Sequence, residues 1–215
     1  MTDSENAFQR SFKKLKDAFL EKPETPAERK HHLHDMAMAL CVAVKKVFFE
    51  KSKTKFSQDP GVTKKSIVAF SGRLRIDAME KFNQTTILSV VHYYKNATEL
   101  EARKAPVCLL IMYVDRKFVP EMLRLLQYPY IDFEDDRDVL DGAGAVINLI
   151  AGYFKKELNA MGYKDLEMSP FQSFINNVSQ GIEYPKVQTD RYELSFNVEG
   201  TKRLVVEMVM APLAK

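Results

Sequence analysis

Asn148 is the side chain in this sequence whose type and position could do chemistry at a surface. If residues 138–158 form a helix that turns by about 100° per residue, this amide lies at the middle of one face made mostly of small residues. That face consists of Asp141, Gly144, Ala145, Asn148, Ala151, Gly152 and Lys155. An amide carries both hydrogen-bond donors and an acceptor, so Asn148 could be presented to a partner there.

The strip of small residues also has a second interpretation. Gly144, Ala145, Ala151 and Gly152 would let another helix of the chain approach closely. Asn148 would then be satisfied by a backbone carbonyl. From the spacing alone, this packing interpretation is the favoured one.

The histidines give no second candidate site. His31 with His34 or Asp35 would lie on neighbouring turns of one predicted helix, which is a possible start of a metal site. Two ligands do not close such a site, because structural zinc needs four and catalytic zinc about three. His92 is the only histidine outside this cluster, so we assign no metal.

Covalent and nucleotide chemistry are not indicated either. Cys41 and Cys108 each lie inside an apolar run, which is typical of free buried thiols, and neither has an electropositive neighbour in sequence. The run Asp141-Gly-Ala-Gly144 lacks the third glycine of a phosphate-binding loop and does not directly follow a strand. We expect no disulfide, no serine or cysteine nucleophile and no cofactor.

Composition excludes several classes of function. The chain has 215 residues, 46% of them hydrophobic, and a net charge of +3 from 32 basic and 29 acidic residues. It is long enough for one large core, while the modest, mixed charge gives no reason to expect a nucleic acid or an anionic membrane as partner. The first residues have no basic stretch followed by an apolar core, so we expect no signal peptide. No apolar run approaches the roughly 20 residues of a membrane span. A soluble cytoplasmic protein is expected.

Periodicity and turn residues predict a mixed α/β chain. The predicted helices cover residues 5–21, 27–50, 120–126 and 138–158, and Pro23 and Pro26 separate the first two. The predicted strands cover 66–76, 85–94, 106–114, 192–198 and 204–210. Residues 51–63 are expected to be a loop, 95–97 a turn, and 166–170 a short extended piece that ends at a proline.

Four of these elements carry the predicted core. Residues 106–114 are apolar at both odd and even positions, which favours a central strand with helices on one face and another layer on the other. The last two strands alternate apolar and polar residues and predict a hairpin with one buried face. In the helix at 138–158 the apolar positions recur at steps of three and four and form one buried stripe: Val139, Ala143, Val146, Ile147, Ile150, Phe154 and Leu158.

The segment from Ala143 to Gly152, followed by Lys155, Leu158, Gly162 and Leu166-Glu-Met-Ser-Pro170, resembles the signature region of the CheX/CheC chemotaxis phosphatase family. CheX is the more similar in architecture, and the resemblance spans roughly residues 35–210. It implies a mostly antiparallel sheet with helices packed on one face, formed by a domain over residues 27–215. Residues 1–26 would be an N-terminal helical arm and linker, and a homodimer is implied.

The same resemblance implies roles for single residues. The family signature is Glu-x-x-Asn, on a helix that docks on the phosphorylated receiver domain of CheY. Its Asn, here Asn148, orients the water that attacks the aspartyl phosphate, a task that needs positioning rather than a metal from the phosphatase. The Glu, which pairs with a lysine of the receiver, is replaced by Ala145, and Asp141 lies one further turn back on the same face.

The sequence therefore predicts a protein that binds or acts on a phosphorylated receiver domain. Asn148 would be the catalytic residue, and Asp141, Gly144, Ala145, Ala151, Gly152 and Lys155 would line the docking strip. Losing the charged contact at Ala145 would weaken binding by about 1–3 kcal/mol, so the phosphatase would be impaired. The alternative is a non-enzymatic scaffold or dimerisation module, like the motif-lacking middle domain of the related flagellar switch protein.

Overall fold

The computed structural model describes residues 29–52, 59–175, 178–198 and 200–212. The predicted helical arm at 5–21 and its proline linker lie outside the described residues. The helices are α1 (Arg29–Ser52), α2 (Ala97–Glu101), α3 (Val119–Leu125) and α4 (Asp136–Ala160). The strands are β1 (Gly61–Ser66), β2 (Ala69–Phe70), β3 (Arg73–Asp77), β4 (Thr86–Tyr94), β5 (Cys108–Asp115), β6 (Glu167–Met168), β7 (Gln172–Ile175), β8 (Val178–Ile182), β9 (Asp190–Val198) and β10 (Thr201–Met210).

Seven strands form the main sheet, in the order β1-β9-β10-β5-β4-β6, and β7 pairs with the same edge of β4 as β6 does. Every pairing in the described part of the sheet is antiparallel. The predicted α/β fold with a mostly antiparallel sheet is therefore confirmed. The strand predicted as the sheet centre, β5, lies between β10 and β4 and is buried along its whole length.

The two faces of the main sheet are covered by different layers. Cys108, Leu110, Met112 and Val114 of β5 belong to a helix-side core that is shared with α1 and α4. The alternate residues of β5 belong to a sheet-side core beneath a small sheet of β2, β3 and β8: Leu109, Ile111 and Tyr113. Because side chains alternate across a strand, β5 must be apolar at both parities, as its sequence indicates.

Three local predictions are wrong, for identifiable reasons. Residues 66–76 do not form one strand, because Ser71 and Gly72 have positive φ angles of 50° and 71° and turn the chain into the β2–β3 hairpin. The predicted loop at 51–63 already contains the start of β1 at Gly61. The predicted turn at 95–97 opens the short helix α2, where the side chain of Asn96 caps the backbone N–H of Glu99 at 2.9 Å.

The terminal hairpin forms as β9 and β10, but β10 is buried on both faces from Leu204 to Met210. The small second sheet covers the face that the alternation pattern assigned to solvent. This burial encloses Glu207, which is 0% exposed. A buried carboxylate needs charged or hydrogen-bonding partners to offset its desolvation, and the structure supplies several.

Glu207 is the centre of a buried charge network on the sheet-side face. Lys81 donates hydrogen bonds to Glu193 and, at 2.5 Å, to Glu207. The Tyr113 hydroxyl donates to Glu207 at 2.7 Å, and Nη1 of Arg191 donates to it at 3.2 Å. The sequence shows these residues only as isolated charges, since their meeting depends on the register of β9, β10 and β5.

Candidate functional site

Helix α4 carries the candidate site and begins at a well-defined cap. Asp135 is the N-cap, and its side chain accepts a hydrogen bond from the backbone N–H of Arg137 at 2.8 Å. Asp136 and Asp138 in the first turn place negative charge beside the free backbone N–H groups, which is favourable there. The acidic run before the helix thus has a structural role in starting α4.

The buried side of α4 is the predicted one. All seven residues of the apolar stripe are 0% exposed and belong to the helix-side core. The Tyr93 hydroxyl of β4 also donates a 2.8 Å hydrogen bond to the carbonyl oxygen of Ala151. These contacts fix the rotation of the helix about its axis, and therefore fix which residues point outward.

Asn148 points outward from the middle of α4. Its side chain is exposed, and among the described residues it has no hydrogen-bond partner. Asp141, seven residues earlier on the same face of the helix, is also exposed, while Ala145 and Gly152 are half-buried. A Cβ atom added at Gly152 would meet nothing within 4 Å. The amide therefore lies on an open surface, beside residues with small or no side chains. Among the described residues no other helix covers it, in contrast to the packing interpretation.

Two residues assigned to the docking strip do not lie on this surface. Ala151 is 0% exposed, and Gly144 is buried. The ring of Phe171 lies directly over Gly144, because a Cβ atom added there would be 2.0 Å from Cε2 of that ring. The missing side chain at Gly144 thus leaves room for Phe171, which lies between β6 and β7. The exposed strip on α4 is therefore narrower than the sequence predicts.

The C-terminal half of α4 is tied to its neighbours by charged and polar contacts. Lys155 is half-buried and its Nζ donates to Glu167 of β6 at 3.1 Å. Glu157 accepts from Lys46 of α1 at 2.7 Å. Lys155 therefore borders the strip with its charge already paired, so it offers a partner less than a free lysine would.

Tyr153 marks the boundary between α4 and α1 at the surface. Its hydroxyl donates to Glu50 of α1 at 2.5 Å, and this hydrogen bond, more than burial, raises the pKa of Tyr153 to about 12. Tyr153 therefore remains a neutral donor at physiological pH. Together with the Lys46 to Glu157 contact, it links the two helices at the surface.

The arrangement can position a water molecule but offers little charge for docking. An exposed amide can hold water through its carbonyl oxygen or its N–H groups. Asp141 is seven residues before Asn148, which is a rise of about 10.5 Å at 1.5 Å per residue, whereas Ala145 is about 4.5 Å away. The carboxylate of Asp141 therefore cannot replace a carboxylate at position 145. If the receiver keeps the same orientation on the helix, its cation is too far from Asp141.

The remaining sequence candidates are placed as follows. His34 is exposed and its ring packs against Tyr192 at a centroid distance of 6.3 Å, while the side chain of His31 lies outside the described residues. In the part of the chain that the structure describes, no three histidine, cysteine or acidic side chains are grouped as a metal site would require. Cys41 and Cys108 are both free and buried, as predicted.

Sequence reasoning missed Phe171 and Glu167, which border the face of Asn148. Glu167 lies within the predicted extended piece at 166–170, and Phe171 directly follows it. The pairing of this segment with β4 brings both residues alongside α4. One signal was available for Phe171: a glycine inside a helix costs about 1 kcal/mol relative to alanine, so Gly144 indicates that something approaches closely. The sequence did not indicate what approaches.

Among the described residues, no helix combines the length and the apolar character that crossing a bilayer requires. No protein-family model and no curated protein matches the sequence.

Solved structures with the same fold were found. The chemotaxis protein CheX of Desulfovibrio desulfuricans is 13% identical, covers 82% of this chain and 99% of its own length, and gives a TM-score of 0.52. FliY of Thermotoga maritima is 15% identical and gives 0.51 over 88% of this chain and 92% of its own. CheX of Vibrio vulnificus is 11% identical and gives 0.50 over 81% and 98%. The structural neighbours are thus CheX/CheC-like chemotaxis proteins, and the predicted CheX-like fold is confirmed.

Proposed function

We propose that this protein binds the phosphorylated receiver domain of a response regulator through the exposed face of α4, and that Asn148 aligns the water that hydrolyses its aspartyl phosphate. The observation that carries this is the unpartnered amide of Asn148 at the centre of a helix whose opposite side is fixed in the core. The CheX-like fold supports it, because it presents this helix at the surface.

The reaction would need only the receiver's acyl phosphate and water. The water oxygen attacks phosphorus while the bond between phosphorus and the aspartyl oxygen breaks. The receiver's aspartate leaves as a carboxylate, and inorganic phosphate is released with the displaced water proton. Asn148 would contribute by holding the water in line with the leaving oxygen, since such reactions are accelerated mainly by positioning and charge compensation.

Ala145 makes this phosphatase a weak one. A glutamate at that position would reach a cation of the receiver, whereas a methyl group cannot. The missing charge-assisted contact corresponds to about 1–3 kcal/mol, or roughly a fivefold to 150-fold loss in affinity. Asp141 would add only a longer-range attraction, because it lies about two turns before Asn148 along the helix axis.

The test follows the loss of phosphate from a purified phosphorylated receiver domain, with and without this protein. Acceleration is expected, and Asn148→Ala should abolish it. Asn159→Ala is the matched control, because Asn159 is also an exposed asparagine of α4 but lies in its last turn. Ala145→Glu should increase the acceleration. Equal decay rates with and without the wild-type protein would refute the phosphatase proposal.

A second candidate is a binding module without hydrolysis, and the absence of an acid at Ala145 favours it. This protein would bind the phosphorylated receiver, or dimerise, through the same face of α4 without changing the decay rate. A complex that forms while the phosphate is lost at its intrinsic rate would favour this candidate over the phosphatase. Replacing Gly152 by arginine tests the face that both candidates share. Nothing lies within 4 Å of a Cβ atom added there, so the fold should survive while docking on this face is blocked.

We also propose a homodimer, as the CheX resemblance implies. Sedimentation velocity over a range of protein concentrations should show a dimer. A monomer at every concentration would exclude it, without affecting the proposal for Asn148.

A further inference from the structure

A groove beside the first turns of α4, here called the aromatic groove, is lined mainly by apolar side chains. Its volume is about 460 Å³, which lies within the range of about 300–1,000 Å³ that ligand sites have. Leu123 and Ile131 line it and lie against Gly142 of α4. The segment that follows α3 supplies its aromatic side chains: Tyr128, Tyr130 and Phe133.

Two rings of the aromatic groove are open to solvent. Tyr130 is 83% exposed and Phe133 is 37% exposed, and their ring centroids lie 5.6 Å apart in an edge-to-face arrangement. A single exposed aromatic residue is ordinary, whereas adjoining rings beside an apolar groove indicate an interaction site. The groove is therefore open to an occupant from outside the described residues.

The rim of the groove carries an excess of negative charge. The two charged residues of α3 that line it have opposite signs. Residues 132–138 contain five acids and one arginine, and Arg116 pairs with one of these acids, Asp136, at 2.9 Å. Asp132 and Glu134 are exposed and form no ion pair with a described residue. An occupant with apolar anchors and basic neighbours therefore suits the groove.

The N-terminal segment of this chain has that chemistry. Residues 5–21, the arm, lie outside the described residues, and their sequence predicts a helix. Its apolar residues recur at steps of four, three and four, the spacing with which an amphipathic helix places anchors in a groove: Phe8, Phe12, Leu15 and Phe19. Residues 10–16 contain four cations and no acid: Arg10, Lys13, Lys14 and Lys16.

The direction of α1 decides whether the arm of the same chain can reach the groove. Lys46 of α1 contacts Glu157 of α4, and Glu50, one turn later in α1, contacts Tyr153, one turn earlier in α4. The two helices therefore run in opposite directions. Because the groove lies beside the start of α4, the end of α1 points toward it and the beginning of α1 points away.

The arm of the same chain begins too far from the groove. Arg29 lies roughly 31 Å back from Glu50 along α1, and Gly142 lies roughly 16 Å beyond Tyr153 in the opposite direction. Allowing for the angle between the helices, Arg29 and the groove are roughly 40 Å apart. The linker of residues 22–28 spans at most about 25 Å, so this arm could not place its whole apolar stripe in the groove. The arm of a second copy has no such limit.

We propose that the arm of each copy binds in the aromatic groove of a second copy. Reciprocal exchange of this kind closes a two-fold dimer. A buried phenylalanine removes about 150–250 Å² from solvent, so two from each arm, together with the groove surface that they cover, exceed the roughly 1,000 Å² of a specific interface. The exchange rests on the proposed homodimer and does not depend on hydrolysis at Asn148.

Sedimentation velocity of the full-length protein over a range of concentrations measures the dimer. Phe12→Asp places a charge in the apolar stripe and should weaken dimerisation by about tenfold or more, and Tyr130→Ala should weaken it severalfold. Two controls should leave the dimer unchanged. Asn6→Asp adds the same charge on the opposite side of the predicted helix, and Phe70→Ala removes a ring that is 62% exposed on the small sheet.

The outcomes separate the arm exchange from the homodimer itself. A dimer that Phe12→Asp or Tyr130→Ala leaves unchanged would overturn the exchange while the homodimer stands. A wild-type protein that is monomeric at every concentration would overturn both.

Spin labels decide which copy's arm occupies the groove. Cys41 and Cys108 are buried, so a nitroxide reagent labels only the new thiol of Ser4→Cys. These chains are mixed with isotope-labelled chains that carry no spin label. The amide signals of Tyr130 and Phe133 in the isotope-labelled chains should broaden. Broadening that requires both labels on one chain, or no broadening at these residues, would overturn the exchange.

Discussion

Replacing Gly144 and Gly152 separately by alanine tests which part of α4 is open and which part the chain itself covers. Both glycines lie inside the same helix, so each substitution gains about the same helix propensity, about 1 kcal/mol. At Gly152 nothing lies within 4 Å of the added Cβ. Gly152→Ala should therefore raise the free energy of unfolding by about that amount.

Gly144→Ala meets the ring of Phe171. The added Cβ would lie 2.0, 2.2 and 2.7 Å from three carbon atoms of that ring, so the ring must move away from α4. Overpacking of this kind costs about 1–3 kcal/mol. Because the propensity gain cancels between the two variants, Gly144→Ala should be less stable than Gly152→Ala by about 1–3 kcal/mol.

The measurement is urea-induced unfolding followed by far-UV circular dichroism. All variants are fitted with a common m-value, the slope of the unfolding free energy against urea concentration. Phe171→Ala provides the internal control. In that background the clash is absent, so Gly144→Ala should stabilise the protein as Gly152→Ala does, and the double-mutant cycle gives the coupling between the two residues. Equal stabilisation by both glycine substitutions in the wild-type background would refute the placement of Phe171 over Gly144.

Three further predictions concern the interior. Burial raises the pKa of Cys41 to about 11 and that of Cys108 still further, so neither thiol should react with a thiol reagent until the protein unfolds. Burial alone would raise the pKa of Glu193, but hydrogen bonds from two lysines outweigh it and lower this pKa from 4.5 to about 2. The ionised Glu193 therefore stabilises the fold above pH 4.5, and this stabilisation is lost as the pH falls toward 2. The urea midpoint of the wild-type protein should fall over this pH range, and the midpoint of Glu193→Gln should fall less. Tyr93→Phe removes the 2.8 Å hydrogen bond to the Ala151 carbonyl and should lower the free energy of unfolding by about 1 kcal/mol, whereas no change would show that the bond contributes nothing.

The sequence alone determined the elements that carry strong periodicity. The stripe from Val139 to Leu158 could be read from steps of three and four, and the structure buries every member. The two-sided apolar character of residues 106–114 likewise predicted a strand covered on both faces, and β5 (Cys108–Asp115) is that strand. These predictions succeed because a single element must bury its own apolar residues whatever the rest of the chain does.

Single turns were harder to predict, because their residues act over a shorter range. Ser71 and Gly72 divide a run of β-forming residues into two strands through their positive φ angles. Asn96 caps a helix of about one and a half turns that has no buried residue. Such a helix has no periodic apolar pattern from which it could be predicted. In both places the backbone geometry of one or two residues outweighed the average preference of the segment.

Only the tertiary structure decided what covers each face. Helical geometry placed Gly144, Asn148 and Ala151 on one side of α4, yet Phe171 covers the first, the core encloses the last, and Asn148 alone reaches solvent. Glu207 alternates like a solvent-facing residue but is enclosed with Lys81 by a second sheet. Local geometry determines on which side of its helix or strand a side chain lies. The residues that pack over that side chain come from segments distant in sequence, and they meet it only when the whole chain has folded.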